Sequence, residues 1–248
     1  GEKRHASARV QDISPSALLI VWQGGMESGN ALADILTGAS EPGGRLTDSI
    51  AKNYQSYPSS SDFGNSKFNF YTEDIYVGYR WFSTFAPENV LFPFGAGEGY
   101  TAFSIQPLGV DFDGKNVSVK VGVANTGKRG GREVLQLYVA LPNARLSHPA
   151  RELAAFCKTE EMLPGESAEY TLSFSLDDIR SFDDRTSEWV TEKGAYSLFL
   201  GKNVRDALPA GRFEVSEERT QKVPSASAPI IPFERVVNKN GKPQREPV

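Results

Sequence analysis

The sequence predicts an α/β segment followed by an all-β sandwich. Three observations carry this prediction. A continuous apolar run, Ala17 to Val21, ends at a glycine turn and is followed by apolar residues at helical spacing. Asn116 to Asn125, NVSVKVGVAN, alternates strictly between valine and small or polar residues. Further alternating runs follow it at short intervals, separated by Gly, Pro and Asn turns.

The run ALLIV suits a strand covered on both faces, as in a parallel sheet. Trp22-Gln23-Gly24-Gly25 breaks it. Ala31, Leu32, Ile35 and Leu36 then define a helix face, and Gly38 stands where a left-handed C-cap is expected. One strand, one turn and one helix are half of a βαβ unit, so this strand needs sheet partners. Glu41 to Leu46, EPGGRL, is a turn by composition, and 48–62 is a polar extended loop. In YTEDIYVGYRWF, residues 71–82, bulky side chains fall on both alternating faces of 75–82, which predicts a short, covered strand or extended segment. LFPFGAGEGYTAFS, from Leu91, is an ordered connection.

From about Thr101 the pattern is antiparallel. Val117, Val119, Val121 and Val123 share one face. Leu135, Leu137, Val139 and Leu141 form a second. Ala168, Tyr170, Leu172, Phe174 and Leu176 form a third, and Tyr196, Leu198 and Leu200 a fourth. Such strands over about a hundred residues predict an immunoglobulin-like β-sandwich. A single cysteine excludes an intrachain disulfide, so the fibronectin type III-like variant is the better description. The organisation read from the sequence is therefore 1–100, a partial α/β sandwich with its connection; 101–217, the fibronectin type III-like domain; and 218–248, a polar, proline-bearing linker or tail. Within that tail, the apolar patch PIIPF is suited to docking on another domain.

Composition narrows function. A net charge of −4 with dispersed Lys and Arg gives no basic footprint for nucleic acid. No run reaches the eighteen or so apolar residues of a membrane helix. The N-terminal GEKRHASARVQDISP has no apolar stretch of the signal-peptide kind. His5 and His148 are far apart, and with Cys157 alone they support neither a nucleophilic triad nor a metal site. Cys157, in the alternating AAFCK, is expected to be an inert, buried thiol. Asp177-Asp178 and Asp183-Asp184 do not match a calcium loop and read as turn residues. Asn116-Val117-Ser118 is a chance sequon on a strand.

Four motifs occur in order: LIVWQGGMESGNALADIL (19–36), PGGRL (42–46), YTEDIYVGYRWF (71–82) and LFPFGAGEGYTAF (91–103). Together with the following β-sandwich they resemble the C-terminal part of glycoside hydrolase family 3, over roughly residues 15 to 215. The resemblance implies a retaining, exo-acting β-glycosidase of the β-glucosidase kind, acting on β-linked glycosides with no cofactor and no metal. It implies a nucleophilic Asp on a TIM-like barrel domain and an acid/base Glu before the WQGG turn, both outside this chain, so that no catalytic residue is expected within it. PGGRLTDSIAKNYQSYPS resembles members whose barrel follows the fibronectin-like domain. FGAGEGYTAF departs from the usual pattern at Glu98-Gly99. The rival reading is a stand-alone module binding a carbohydrate or a protein.

Three residues are candidates for the edge of a substrate site. Trp22 is expected in the core, with stacking on a sugar as the functional alternative. Glu27, in the first helical turn, is favoured there by the helix dipole, or reaches a ligand near the strand-to-helix turn. Glu73 adjoins Asp74. The two would point to opposite faces of a strand, so they are expected to anchor backbone or Arg80, with the edge of the site as the alternative. Tyr76, Tyr79, Trp81 and Phe82 alternate over two faces and are expected to pack between domains, with a carbohydrate platform as the functional alternative.

Overall fold

The computed structural model describes residues 16–61, 63–142, 144–224 and 231–247. The polar leader with His5, and part of the PIIPF patch, lie outside them. The chain divides into two compact units, residues 1–42 and 43–248.

In the first unit, Ser28–Thr37 form helix α1. Gly38 closes it at φ 77°, the left-handed conformation glycine adopts without steric penalty, and its N–H returns to the carbonyl of Ile35. The expected strand at 17–21 is not formed. This stretch has no strand partner among the described residues. Leu18, Leu19 and Val21 are exposed. The physical reason is the one already visible in the sequence: a parallel strand acquires its hydrogen bonds and its cover only from neighbouring βα units.

The second unit is built on a two-sheet sandwich. One sheet has the order β3 (Phe103–Phe112), β4 (Asn116–Asn125), β7 (Ser167–Ser175). The other runs β11 (Leu208–Val215), β10 (Gly194–Gly201), β5 (Val134–Ala140), β6 (Glu152–Lys158). All these pairings are antiparallel. The expected faces meet in the core. Val117, Val119, Val121 and Val123 of β4 pack with Leu135, Leu137 and Val139 of β5, Leu172 and Phe174 of β7, and Tyr196, Leu198 and Leu200 of β10. Tyr196 stacks on Phe213 at 4.9 Å. Cys157 of β6 is half-buried against this core, and burial pushes its thiol pKa up, away from the reactive thiolate.

Beside the sandwich lie three smaller elements. β1 (Ile50–Ala51) pairs with β2 (Val90–Phe92), and 54–61 form two short 3-10 turns where an extended loop was expected. A small sheet joins β8 (Ser181–Asp183), β9 (Glu188–Thr191) and β12 (Arg219–Lys222). A hairpin joins β13 (Glu234–Lys239) to β14 (Lys242–Pro247) through Asn240-Gly241, both at positive φ. Residues 218–248, read from the sequence as linker or tail, thus carry regular structure. The Asn-Gly pair is the sequence signal for that hairpin.

YTEDIYVGYRWF is also not a strand. Residues 72–75 turn, and α2 spans Tyr79–Phe85. Gly78, at φ 59° and ψ −124°, breaks the extended path before the helix. Tyr76, before the helix, and Phe82, within it, are buried, while Ile75 and Val77 are exposed. Alternation over so few residues does not separate the two periods when both faces are covered.

Shortening a residue at the centre of the sandwich tests this core. Leu137→Ala removes a fully buried side chain and is expected to lower stability by about 2–5 kcal/mol. A urea titration would show this as a lower midpoint with an unchanged slope.

Candidate functional site

In the first unit, the path from Val21 into α1 places Trp22 and Glu27 at the two ends of one glycine turn. Trp22 is exposed and adopts φ 54°, a left-handed backbone uncommon for a bulky residue. It is not the core residue the sequence suggested, because no sheet neighbour covers it among the described residues. A side chain on Gly24 would run into Ser28, so the turn accepts only glycine at that position. Glu27 is the N-cap residue. Its carboxylate accepts from the side-chain amide of Asn30 and makes no capping bond to the backbone. Both side chains are thus presented outward, an aromatic face and an acceptor separated by a short turn.

Glu73 lies in the second unit, within the turn that precedes α2. The N–H of Asp74 donates to Tyr71 O at 3.2 Å, and that of Tyr76 to Glu73 O at 2.9 Å. Glu73 is buried, and its Oε2 has no hydrogen-bond partner among the described residues. Asp74, at φ 50°, is directed to Arg235 of β13 at 3.6 Å. Burial raises the pKa of Asp74, Arg235 opposes this, and the neighbouring charge of Asp184 adds to the rise. The anticipated partner Arg80 instead pairs with Glu152 at 3.3 Å. The strand geometry invoked for the Glu73–Asp74 pair is replaced by a turn, held to β13 by the bond from Val236 N–H to Thr72 O at 2.7 Å.

Several buried charges had no signal in the sequence beyond their residue type. Glu133, 3% exposed, is clamped by Arg45 of the PGGRL motif and by Lys202 at 3.0 Å, and its Oε1 accepts the N–H of Val134. His148 and Glu192 are both buried and meet at 2.6 Å. Glu192 Oε1 also accepts the N–H groups of Arg145 and Leu146, and the second ring nitrogen of His148 faces the Ser181 hydroxyl at 3.2 Å. Asp183 pairs with Arg145; burial raises its pKa, but the hydrogen bonds from the Arg145 side chain and the Arg185 N–H and the charges of both arginines together hold it below the usual carboxylate range. Asp184 pairs with Arg235, and Asp178 completes a capping box with Ser175. The acidic doublets are therefore anchors and turn residues. No group of three or more His, Cys, Asp or Glu side chains able to hold a metal occurs among the described residues.

Comparison with known proteins gives this architecture a family. Residues 5–79 match the Glycosyl hydrolase family 3 C-terminal domain, and residues 133–204 match the Fibronectin type III-like domain. The chain belongs to glycoside hydrolase family 3. It is 39% identical to a beta-glucosidase of Ruminococcus albus over 234 residues, covering 92% of this chain and 25% of that protein. It superposes with a TM-score of 0.86 on the crystal structure of a beta-glucosidase from Paenibacillus barengoltzii, at 39% identity, covering 92% of this chain and 27% of that one. Beta-glucosidase 3B of Thermotoga neapolitana, solved in complex with glucose, gives a TM-score of 0.77 at 41% identity, with 82% and 29% covered. The chain thus spans about a quarter of the length of these family 3 relatives.

Within the family 3 architecture, the paired buried charges bind loops to the sandwich, and their loss has a defined expected effect. Glu192→Ala leaves two backbone donors and the His148 ring without their acceptor in a buried site. The expected loss is about 3–5 kcal/mol, measured by chemical denaturation. Lys193→Ala, on the exposed neighbour, is expected to change stability by less than about 0.5 kcal/mol.

Proposed function

We propose that this chain is the scaffold portion of a retaining, exo-acting β-glycosidase of the β-glucosidase kind, releasing terminal β-linked sugars. The observation that supports it is the match to beta-glucosidases along 92% of the chain, set against a quarter of their length. In this reading the catalytic carboxylates belong to the remaining three quarters of the polypeptide, including a TIM-like barrel domain. One carboxylate attacks the anomeric carbon. The other first protonates the leaving oxygen and then activates water. Two carboxylates about 5 Å apart suffice for that double displacement, so this function calls for no cofactor.

Trp22 and Glu27 are the positions we assign to the edge of the substrate site, because both are presented outward from a turn at the start of α1. Open α/β sheets receive ligands at such turns. Glu73, being buried within its own turn, serves better as an anchor of the 71–82 segment than as a direct ligand. A stand-alone binding module fits less well, since Leu18, Leu19 and Val21 would then present apolar surface to water.

The test is the full-length parent polypeptide assayed on aryl β-glycosides, with product configuration followed by NMR. Hydrolysis with net retention is expected, and the 248-residue chain alone is expected to give none. A parent inactive on every aryl β-glycoside would overturn the reading. Within an active parent, Trp22→Ala is expected to lower kcat/KM about tenfold, equal to a loss of about 1.4 kcal/mol in transition-state stabilisation.

A further inference from the structure

The second unit contains a cavity of about 310 Å³. It lies between the 3-10 turns of 54–61, the start of α2 and the β13–β14 hairpin. Tyr57, Trp81 and Val236 contribute its apolar wall, and Gln55, Gln244 and Arg245 are among its polar lining.

The wall is rigid. The Tyr57 hydroxyl accepts the N–H of Ala51 at 3.0 Å and donates to Ser49 O at 3.2 Å, while its ring meets Phe82 edge-on at 5.5 Å. Trp81 is fixed against Phe85 at 5.0 Å. Val236 is buried and lies opposite Arg245 in the hairpin register, which puts the two side chains on one face. The Ser56 hydroxyl is bonded to Asn53 at 3.0 Å, but the longer polar side chains of the lining are uncommitted. Among the described residues, the side chains of Gln55, Gln244 and Arg245 take part in no hydrogen bond or ion pair, although other charged side chains of the hairpin do, such as Lys239 with Glu246 and Arg235 with Asp184.

We propose that this cavity binds a neutral pyranose. An indole offers a negative face to the C–H face of a sugar ring. Amide and guanidinium groups supply donors and acceptors suited to hydroxyls. With one cation and no carboxylate or lysine in the lining, a polyol is favoured over a multiply charged ligand. The volume is at the lower end of ligand sites, about 300–1,000 Å³, and accommodates a single ring. The choice of a sugar rests on the glycosidase reading above; the cavity and its free polar groups do not.

The experiment uses full-length protein labelled with 5-fluorotryptophan, with the Trp81 resonance identified through Trp81→Phe. Glucose and cellobiose are titrated while fluorine NMR reads the Trp81 signal, which reports this cavity alone. A saturable shift with a midpoint on the order of millimolar is expected for so small a ligand. Gln244→Ala with Arg245→Ala, both on exposed hairpin positions, should raise that midpoint at least about tenfold. An unmoved Trp81 signal at saturating sugar overturns the proposal, as does an unchanged midpoint in the double variant. A shift produced by inorganic phosphate and not by either sugar overturns the choice of ligand. Hydrolysis of an aryl β-glucoside by the same sample tests the glycosidase reading separately, so either reading can fail without the other.

Discussion

Strand β5 is buried on both faces, and the second unit depends on that. Leu135, Leu137 and Val139 point into the sandwich. Gln136 and Tyr138, on the other face, are equally buried, because Tyr79 of α2, Phe94, Val204 and Ala207 cover them. Tyr79 stacks on Phe94 at 4.5 Å and meets Tyr138 edge-on at 6.3 Å, and its hydroxyl accepts the N–H of Leu153 at 2.9 Å. The Gln136 side chain donates to Lys202 O and accepts from the Tyr138 hydroxyl. Burial in this cluster drives the Tyr138 phenol far above its ordinary pKa. Gly95, at φ 80°, lies so close to the Gln136 amide that no side chain fits there. The segment that marks the family is thus held by the outer face of the fibronectin-like sheet.

Around this apolar contact, bonds to buried carboxylates and one partly exposed arginine bridge determine where the connecting loops go. Glu133 holds the PGGRL segment, Glu192 holds 145–148, and Arg235 bridges β13 to both Asp74 and Asp184. Such pairs add little net stability over apolar packing of the same volume, but removing one partner is costly. Their physical effect is to select one loop arrangement, since any other would leave a charge desolvated and unpaired.

This division of labour suits a scaffold. The sandwich supplies a large, local core, α2 and the hairpin attach to its margins, and the exposed groups of the first unit, Trp22 and Glu27, stand on a turn whose conformation glycine makes possible. Chemistry in a double-displacement enzyme needs carboxylates held within fractions of an ångström. In the proposed function, where the catalytic carboxylates lie outside this chain, a sandwich with α2 held against β5 is a suitable support for such precision.

By itself, the sequence determined the sandwich, α1 with its Gly38 cap, and the family. Each is a local or repeating signal: valines two apart in β4, apolar residues three and four apart in α1, four motifs in order. Only the tertiary structure decided the rest. It made 71–82 a turn and a helix, because covered residues on both sides of a short segment fit either period. It left 17–21 without a strand partner among the described residues, because sheet partners are non-local. It joined Arg45 to Glu133, His148 to Glu192 and Asp74 to Arg235 across separations of up to 161 residues, and no spacing rule links such pairs. Of the candidate site, residue types were legible in the sequence, but exposure was not: Trp22 faces outward and Glu73 is enclosed, since burial depends on which distant segments arrive to cover a side chain.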